Sequence, residues 1–316
     1  MDRPDKPTNM FDYGLIALVG VLLGIPYALT KISQTTIPPL TGVAARVALA
    51  AIALWLIVFA SNIKLSSLRG HLSHLFFQGF LSSVIPYTLI AYGQLSVNSA
   101  LAAILNSTTP LFVCLTSLLW TRHEVLHFNR VLGVSAGLAG VVMIARMNSL
   151  QALDENTLGE VAIILATASS AIAAVQGRRF NDIPPELAAA GTLTCGALIL
   201  IPLCLIVDAP FGSVPSGGSI AALLINAFFA TALRTVIYFH LIRTIGSMGA
   251  TSAGYLKPAV GVLIGCTLMG ESLTWTALAG LLAIFAGVAA INQKQPIKLT
   301  QFAIWGLVTR LSPKIR

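Results

Sequence analysis

The chain has 316 residues, of which 56% are hydrophobic and only 9% are charged. Soluble domains carry roughly 45–50% apolar and about 25% charged residues, so this composition excludes a soluble globular protein, which needs more polar surface to face water. The formal net charge is +8, but the loops between the apolar stretches are too short to build the folded basic face that nucleic-acid binding requires.

Ten apolar stretches follow one another along the chain, and each is close to the roughly 20 residues that a helix needs to cross the hydrocarbon. We name them spans 1 to 10 and predict an all-α integral membrane protein with ten transmembrane helices. Their predicted ranges are, in order, 12–31, 40–60, 74–92, 98–119, 130–147, 159–177, 187–207, 219–241, 248–269 and 274–292.

Two segments, one near the middle of the chain and one near its end, carry the same pattern of proline, glutamate and glycine. In both, the glutamate precedes a glycine by nine residues, and a second glycine follows seven residues later. Each copy closes a half of five spans. Because five is odd, we predict that the second half enters the membrane inverted, as in many secondary transporters. The matched residues are Pro110, Glu124, Gly133, Gly140 and Ile144 in the first copy and Pro258, Glu271, Gly280, Gly287 and Ile291 in the second.

The repeat divides the chain into five predicted segments. Two five-helix repeats are joined by a short outer linker, and a polar N-terminal segment and a basic tail flank them. The tail contains a group of apolar residues with basic residues at both ends, which favours a cytoplasmic interfacial helix, with a disordered basic tail as the alternative. The predicted ranges are 1–11 for the N-terminal segment, 12–147 and 159–292 for the repeats, 148–158 for the linker and 293–316 for the tail.

Basic residues are distributed unevenly between the two predicted sides of the membrane. With the N-terminus inside, 14 basic residues lie on the inner side and only Lys31 and Arg146 lie on the outer side. Cytoplasmic loops of membrane proteins carry such an excess of lysine and arginine. We therefore predict a multi-pass protein of the cytoplasmic (inner) membrane with both termini in the cytoplasm.

Three stretches of the chain resemble a known transporter family. Ala91 to Ile144, which contains STTPLF, and Thr231 to Glu271, which contains GYLKPAVG, resemble the EamA repeat of the drug/metabolite transporter superfamily. The run from Pro38 to Leu40 that leads to Arg46 resembles the start of its first repeat, and the likeness covers residues 12–292. It implies a two-repeat, ten-helix transporter that works by alternating access on amino acids, nucleotide-like metabolites, sugars or drugs.

Two basic residues depart from the family pattern and define the candidate binding site. The positions of Arg234 and Lys257 are usually uncharged in the family. Lys257 lies near the centre of span 9, where an unpaired cation costs roughly 2.5–3.5 kcal/mol on insertion scales. Arg234 lies in span 8, one helical turn from Tyr238. We predict that both cations bind the negative end of a substrate. The alternatives are a lysine that snorkels or pairs with a carbonyl at the repeat interface, and an arginine that anchors a cytoplasmic loop or an inner-leaflet lipid headgroup.

Polar uncharged side chains in other spans are candidates for the rest of the site. Asn106 lies in span 4, Tyr87 follows a proline in span 3, and Ser169 and Gln176 share one face of span 6. For each of them, a hydrogen bond between helices is the alternative role. The full set of predicted substrate-binding residues is Lys257, Arg234, Tyr238, Tyr255, Tyr87, Asn106, Ser169 and Gln176.

A second group of residues is predicted to act in gating or in structure. Arg46 lies toward the outer end of span 2, where a structural or gate role is favoured over direct binding. A proline inside a span removes one helical hydrogen bond, and a glutamate in each repeat loop is expected to cap the helix that follows it. This group contains Arg46, Pro86, Pro110, Pro258, Glu124 and Glu271.

The absence of certain residue types from the spans reduces the range of possible substrates. No aspartate or glutamate lies in the middle of a span, whereas the small multidrug exporters of the superfamily use a membrane carboxylate to exchange protons for cationic drugs. Cations within the membrane favour an anion or a zwitterion for Coulombic reasons. The sequence contains no catalytic, nucleotide-binding or metal-ligand motif, so we predict no enzyme activity, no cofactor and no metal.

The predicted function is therefore that of a secondary transporter that moves a small organic anion, an amino acid or a related metabolite, with export as the expected direction. The alternative within transport is uptake or exchange of a nucleotide-like or other anionic metabolite. A different class is a membrane scaffold or lipid-handling protein whose buried cations bind phospholipid headgroups. The expected partners are a small anionic or zwitterionic molecule and the lipid bilayer, and the chain is expected to act as a monomer or a homodimer.

Overall fold

The computed structural model describes residues 10–68, 70–120, 133, 139–140, 155–208, 214–272 and 274–292. All regular elements in these ranges are helical. Seven helical segments of the described residues are long and apolar enough to cross a membrane, and Leu256–Leu268 is a shorter apolar helix. The all-α membrane fold that the sequence predicts is therefore confirmed.

Every predicted span that the structure describes is helical, and we keep the span numbers for these helices. Spans 1, 2, 6, 7 and 10 are the single helices Met10–Ser33, Pro39–Ala60, Glu155–Gln176, Pro185–Val207 and Trp275–Asn292. Spans 3 and 8 each contain three consecutive pieces, which are Leu72–Gly79, Phe80–Val84 and Ile85–Ser96 in span 3 and Gly217–Ala227, Phe228–Leu233 and Arg234–Ser252 in span 8. Span 4 consists of Ser99–Asn106 and Thr109–Trp120, and span 9 of Ala253–Tyr255 and Leu256–Leu268. Most of span 5, Glu124 and the tail 293–316 lie outside the described residues.

One predicted boundary is wrong. The sequence places a loop between spans 8 and 9 at residues 242–247, but the backbone stays helical from Arg234 to Ser252. Gly246 and Gly249 both lie within this helix. A glycine lowers helix stability by about 1 kcal/mol relative to alanine, which weakens a helix without ending it.

Spans 3 and 8 each contain a π-helical segment, in which the backbone hydrogen bonds reach one residue further than in an α-helix. The segments are Phe80–Val84 in span 3 and Phe228–Leu233 in span 8. Pairing Pro110 with Pro258 also pairs residue 80 with residue 228, so the two segments begin at equivalent positions of the two repeats. Because π segments are rare and concentrate at functional sites, their equivalent positions indicate a functional site near the middle of these two helices.

Spans 4 and 9 are both interrupted just before a proline. In span 4, the hydroxyl groups of Ser107, Thr108 and Thr109 donate to the carbonyls of the residues three positions earlier, at 2.5, 2.7 and 2.7 Å. These carbonyls belong to the last turn of Ser99–Asn106, where the α-helical hydrogen bonds end, and those of Ile104 and Leu105 also accept from the backbone nitrogens of Ser107 and Thr108 at 3.0 and 3.3 Å. Three consecutive hydroxyl residues therefore stabilise a helix end within the membrane. In span 9, the 3₁₀ turn Ala253–Tyr255 occupies the corresponding place before Pro258.

The two repeats pack against each other reciprocally. Span 2 lies along span 7, its counterpart, and the main apolar core includes residues from both. Span 1 packs on spans 8 and 9, and span 6 packs on spans 3 and 4. Span 1 approaches span 9 so closely that a Cβ atom on Gly24 would lie 2.5 Å from the Cβ atom of Val260. Small residues thus let the helices of the two repeats interlock.

The structure also corrects the role of Glu271. The sequence analysis expects this carboxylate to cap the helix that follows it, Trp275–Asn292. Instead, it accepts hydrogen bonds from the backbone nitrogens of Ser99 and Ala100, at 2.8 and 2.9 Å, and from the Ser99 hydroxyl. It therefore caps the first helix of span 4, in the other repeat. The tertiary fold thus brings the carboxylate of one repeat to a helix N-terminus of the other.

Candidate functional site

A cavity of about 180 Å³ lies between the two repeats. Described residues from eight spans line it, namely spans 1 to 4 and 6 to 9. Three of the lining side chains are basic, Arg46, Arg234 and Lys257, and none of the described lining residues is acidic. The cavity is therefore positively charged, and nothing among these residues neutralises it.

Two arginines contact the same tyrosine at the centre of the cavity. The guanidinium carbon of Arg46 lies 4.3 Å from the centroid of the Tyr87 ring, which is a cation–π arrangement. Arg234 donates from Nη2 to the Tyr87 hydroxyl at 2.9 Å. We call Arg46, Tyr87 and Arg234 the Tyr87 cluster. Span 2 from the first repeat and span 8 from the second each supply one arginine, so the cluster joins the repeats.

The π segment of span 8 orients both guanidinium groups of the Tyr87 cluster. Arg46 donates from Nε to the Thr231 hydroxyl at 2.6 Å, and that hydroxyl donates to the Asn226 carbonyl five residues earlier at 2.8 Å. Arg234 donates from Nε to the Ala230 carbonyl at 2.9 Å. The wide π turn thus offers the Thr231 hydroxyl and the Ala230 carbonyl as acceptors to the two guanidinium groups. A regular α-helix would use that carbonyl for a backbone hydrogen bond of its own.

Several donors of the two arginines remain available. A guanidinium carries five N–H groups, and only Nε of Arg46 has a hydrogen-bond partner among the described residues, although the side chain is 7% exposed. Nη1 of Arg234 likewise has no partner in that part of the chain. Free guanidinium edges of this kind bind carboxylate or phosphate through paired hydrogen bonds.

Lys257 bridges the interrupted helices of the two repeats. Its ammonium donates to the Asn106 carbonyl at 2.5 Å, to the Asn106 side-chain oxygen, and to the Thr109 hydroxyl at 3.4 Å. These three acceptors match the three N–H bonds of a lysine, and a cation there also meets the negative end of the helix Ser99–Asn106. The pairing with a carbonyl at the repeat interface, the alternative role considered from the sequence, is therefore present, and Lys257 also lines the cavity.

The structure brings some of the predicted site residues together and separates others. Tyr87, Tyr238 and Asn106 line the cavity, as do Arg46 and Pro86, which the sequence analysis assigned to gating or structure. Pro110 and Pro258 are buried where spans 4 and 9 restart. The predicted residues that the structure places elsewhere, or whose side chains it does not describe, are Ser169, Gln176 and Tyr255.

Ser169 and Gln176 are not among the described lining residues. The Ser169 hydroxyl donates to the Leu81 carbonyl at 2.8 Å, within the π segment of span 3, and its neighbour Ser170 lines the cavity instead. Gln176 ends span 6, next to the 3₁₀ turn Gly177–Phe180. The side chain of Tyr255 lies outside the described residues.

Sequence reasoning missed two buried carboxamides that line the cavity. Gln78 and Asn226 are 4% and 2% exposed, and each precedes the π segment of its span by two residues. They are 148 residues apart, the spacing that pairs Pro110 with Pro258. Reading the two repeats in register would have identified them, because a glutamine or asparagine within an apolar span is itself unusual.

A bundle of apolar helices in two interlocked repeats around a cavity with basic side chains has the architecture of a secondary transporter. The sequence model of the EamA-like transporter family matches residues 10–146 and 157–293, so two copies of it account for most of the chain. This chain belongs to the EamA-like transporter family, and the family resemblance stated from its sequence is confirmed. It is a multi-pass membrane protein.

Curated relatives carry transporter names. The uncharacterized inner membrane transporter YedA of Escherichia coli (strain K12) is 28% identical over 270 residues, which is 84% of this chain and 86% of that protein. The uncharacterized transporter YoaV of Bacillus subtilis (strain 168) is 26% identical over 277 residues, 87% of this chain and 94% of that protein. A crystal structure with 18% identity superposes with a TM-score of 0.64 over 90% of this chain and 98% of the other, which shows a shared fold.

Proposed function

We propose that this protein is a secondary transporter that moves a small organic anion, an amino acid or a related metabolite across the cytoplasmic membrane by alternating access. The observation that carries the proposal is the cavity with three basic side chains and no acidic one among its described lining residues. Cations in a low-dielectric site repel each other and attract an anion more strongly than they would in water. An anionic group that binds the Tyr87 cluster would relieve that repulsion.

The free donors of the Tyr87 cluster favour Arg46 and Arg234 as the principal anion ligands. Both guanidinium groups are held at Nε by the π segment of span 8, which leaves terminal nitrogens for the substrate. Lys257 already has three acceptors. Its charge adds to the attraction, while its hydrogen bonds hold spans 4 and 9 together at their interruptions.

The size of the cavity favours a small metabolite. The cavity volume is about 180 Å³. Sites for drug-sized ligands occupy roughly 300–1,000 Å³. The substrate that we propose is therefore about the size of an amino acid, and a nucleotide would require the cavity to widen.

The proposed direction is export, and the proposed location is the inner membrane with both termini in the cytoplasm. Export is taken from the family resemblance. The location is supported by the excess of basic residues in alternate loops and by the inner-membrane name of one relative.

The test is counterflow of labelled compounds into proteoliposomes that contain the purified protein. The compounds are anionic and zwitterionic amino acids, short carboxylates, a nucleotide and one cationic dye. We expect exchange of a carboxylate-bearing compound, and a loss of at least tenfold in its apparent affinity in Arg46→Gln and Arg234→Gln, since hydrogen bonds to a charged group contribute about 1.5–3 kcal/mol. The control is Arg179→Gln, because Arg179 is an exposed loop cation that bonds to His74.

Three other outcomes would contradict the proposal. Exchange of the dye in preference to the carboxylates would reject an anionic substrate. Carboxylate exchange that survives both arginine substitutions would leave the Tyr87 cluster with a structural role. Movement of phospholipid between leaflets, without exchange of any soluble compound, would favour the lipid-handling class.

A further inference from the structure

The carboxamides of Gln78 and Asn226 are bound through their nitrogen atoms only. Gln78 donates from Nε2 to the Ala173 carbonyl of span 6 at 3.1 Å, and Asn226 donates from Nδ2 to the Thr30 hydroxyl of span 1 at 3.2 Å. The side-chain oxygen of each has no hydrogen-bond partner among the described residues. Because a carbonyl can only accept, the contact with Ala173 fixes the Gln78 amide with its nitrogen toward span 6.

Both residues are more than nine-tenths buried and both line the cavity. Buried polar atoms in proteins are almost always paired, and each exception calls for an explanation. Two exceptions at equivalent positions of the two repeats have a shared explanation. A hydrogen-bond donor that enters the cavity would satisfy either oxygen.

The two acceptors lie on opposite sides of the Tyr87 cluster. Gln78 belongs to the first helical piece of span 3, toward the predicted cytoplasmic end, and Asn226 to the first piece of span 8, toward the predicted outer end. Each side has a second lining residue with an unpartnered oxygen in the described part of the chain, Thr192 near the cytoplasmic end and Gln34 near the outer end. Acceptors therefore flank a cationic centre on both sides.

We propose that Gln78 and Asn226 are a pair of repeat-related acceptor sites, one toward each membrane face, for an ammonium or hydroxyl group of the substrate. The proposal rests on the proposed function, because it assumes that the Tyr87 cluster holds the anionic end of the same molecule. The substrate then carries an anionic group and a hydrogen-bond donor close together. As the cavity changes access, the donor exchanges the Asn226 oxygen for the Gln78 oxygen while the anion stays near the centre.

The test uses compounds that differ only in the donor. The first series shares a three-carbon skeleton and carries an ammonium, a hydroxyl or neither next to the carboxylate: alanine, lactate and propionate. The second series repeats this comparison on a larger skeleton: leucine, 2-hydroxy-4-methylpentanoate and 4-methylpentanoate. Each is measured as a competitor and as a counterflow substrate. We expect at least one donor-bearing member to bind roughly 10- to 100-fold more tightly than its donor-free analogue, as hydrogen bonds to buried acceptors do. The ammonium and hydroxyl arms show which donor the site takes.

The matched variants are Gln78→Met and Asn226→Leu, alone and combined. The double variant should bring the preference for the donor close to one, while the donor-free member binds about as before. Gln94→Leu is the control, because Gln94 is also a fully buried glutamine of span 3 with a bonded nitrogen and an unpartnered oxygen in the described residues, but it does not line the cavity. Its donor preference should equal that of the wild type.

The position of each acceptor predicts a dependence on the side of the membrane. In vesicles of opposite orientation, Asn226→Leu should weaken binding from the face that carries residues 34–38, and Gln78→Met from the opposite face. Equal binding of donor-bearing and donor-free carboxylates by the wild type would overturn the acceptor pair and leave the anion transporter intact. So would a donor preference that the double variant retains. Failure of every carboxylate to bind would overturn both proposals together.

Discussion

Glu271→Gln is expected to destabilise the protein because the carboxylate caps a helix of the other repeat. Its two oxygens accept separately from the backbone nitrogens of Ser99 and Ala100. Glutamine keeps one acceptor oxygen and presents an N–H₂ group to the second amide, so at least one bond is lost. A hydrogen bond to a charged group contributes about 1.5–3 kcal/mol, and a negative charge at a helix N-terminus about 0.3–1 kcal/mol.

Together these losses amount to about 2–4 kcal/mol, or about 3–6 °C in Tm for a chain of this length by the scaling of soluble domains. The assay is thermal unfolding of the purified protein in detergent, followed by tryptophan fluorescence. The control is Glu186→Gln. Glu186 lies in the first turn of span 7 and makes no hydrogen bond to another helix among the described residues, so its loss should cost less than about 1 kcal/mol.

Equal Tm values for Glu271→Gln and Glu186→Gln would refute the reasoning, because they would show that only the helix-end charge matters. An unchanged Tm for Glu271→Gln would refute it more strongly. Ser99→Ala separates the hydroxyl from the backbone contacts. It removes the bonds that Ser99 Oγ donates and leaves both amide bonds in place, so its Tm should fall between those of Glu271→Gln and the wild type.

Two further substitutions test the site and the packing. Tyr87→Phe keeps the ring for Arg46 but removes the hydroxyl that accepts from Arg234, so the apparent substrate affinity in counterflow should fall several-fold. Tyr87→Leu loses both contacts and should lower that affinity further. Equal losses in the two variants would show that the ring contributes nothing. Gly24→Leu places side-chain atoms where Val260 lies, so it should abolish a monodisperse size-exclusion peak, and a normal peak would show that spans 1 and 9 can separate.

The fold followed largely from the sequence because membrane spans and repeats leave strong signals. Each described span overlaps its predicted range, since about 20 apolar residues are needed to cross the bilayer. The π segments left no such signal. Pro86 lacks an N–H and so favours an irregular turn in span 3, but Arg234 holds the equivalent place in span 8 and has no such effect. Only the register of the repeats connects the two.

The cations were easier to predict than their partners. Lys257 and Arg234 stood out because charged side chains within membrane spans are rare and energetically costly, and usually have a functional role. Which neighbouring side chain faces the cavity depends on helix rotation, and one residue turns a side chain by about 100° around the axis. That angle separates Ser169, bonded to the Leu81 carbonyl, from Ser170, which lines the cavity. Glu271 was misassigned because its helix partner lies 172 residues away in sequence.

The two repeats share the shape of the site but not its charge. Both contain a π segment, an interrupted helix before a proline and a buried carboxamide, at equivalent positions.

Each basic residue among the described lining residues, in contrast, corresponds to an uncharged residue at the equivalent position of the other repeat. In the same register, Arg46 pairs with Thr194, Arg234 with Pro86 and Lys257 with Thr109. The hydroxyl of Thr194 accepts a hydrogen bond from the indole nitrogen of Trp55 at 2.8 Å. In the proposed alternating-access mechanism, the two halves would exchange equivalent conformations, and the features that they share fit that exchange. The cations would need no symmetry under the proposed function, because a single bound anion would be held in both states, and a second set of cations would add repulsion without a second anion to balance it.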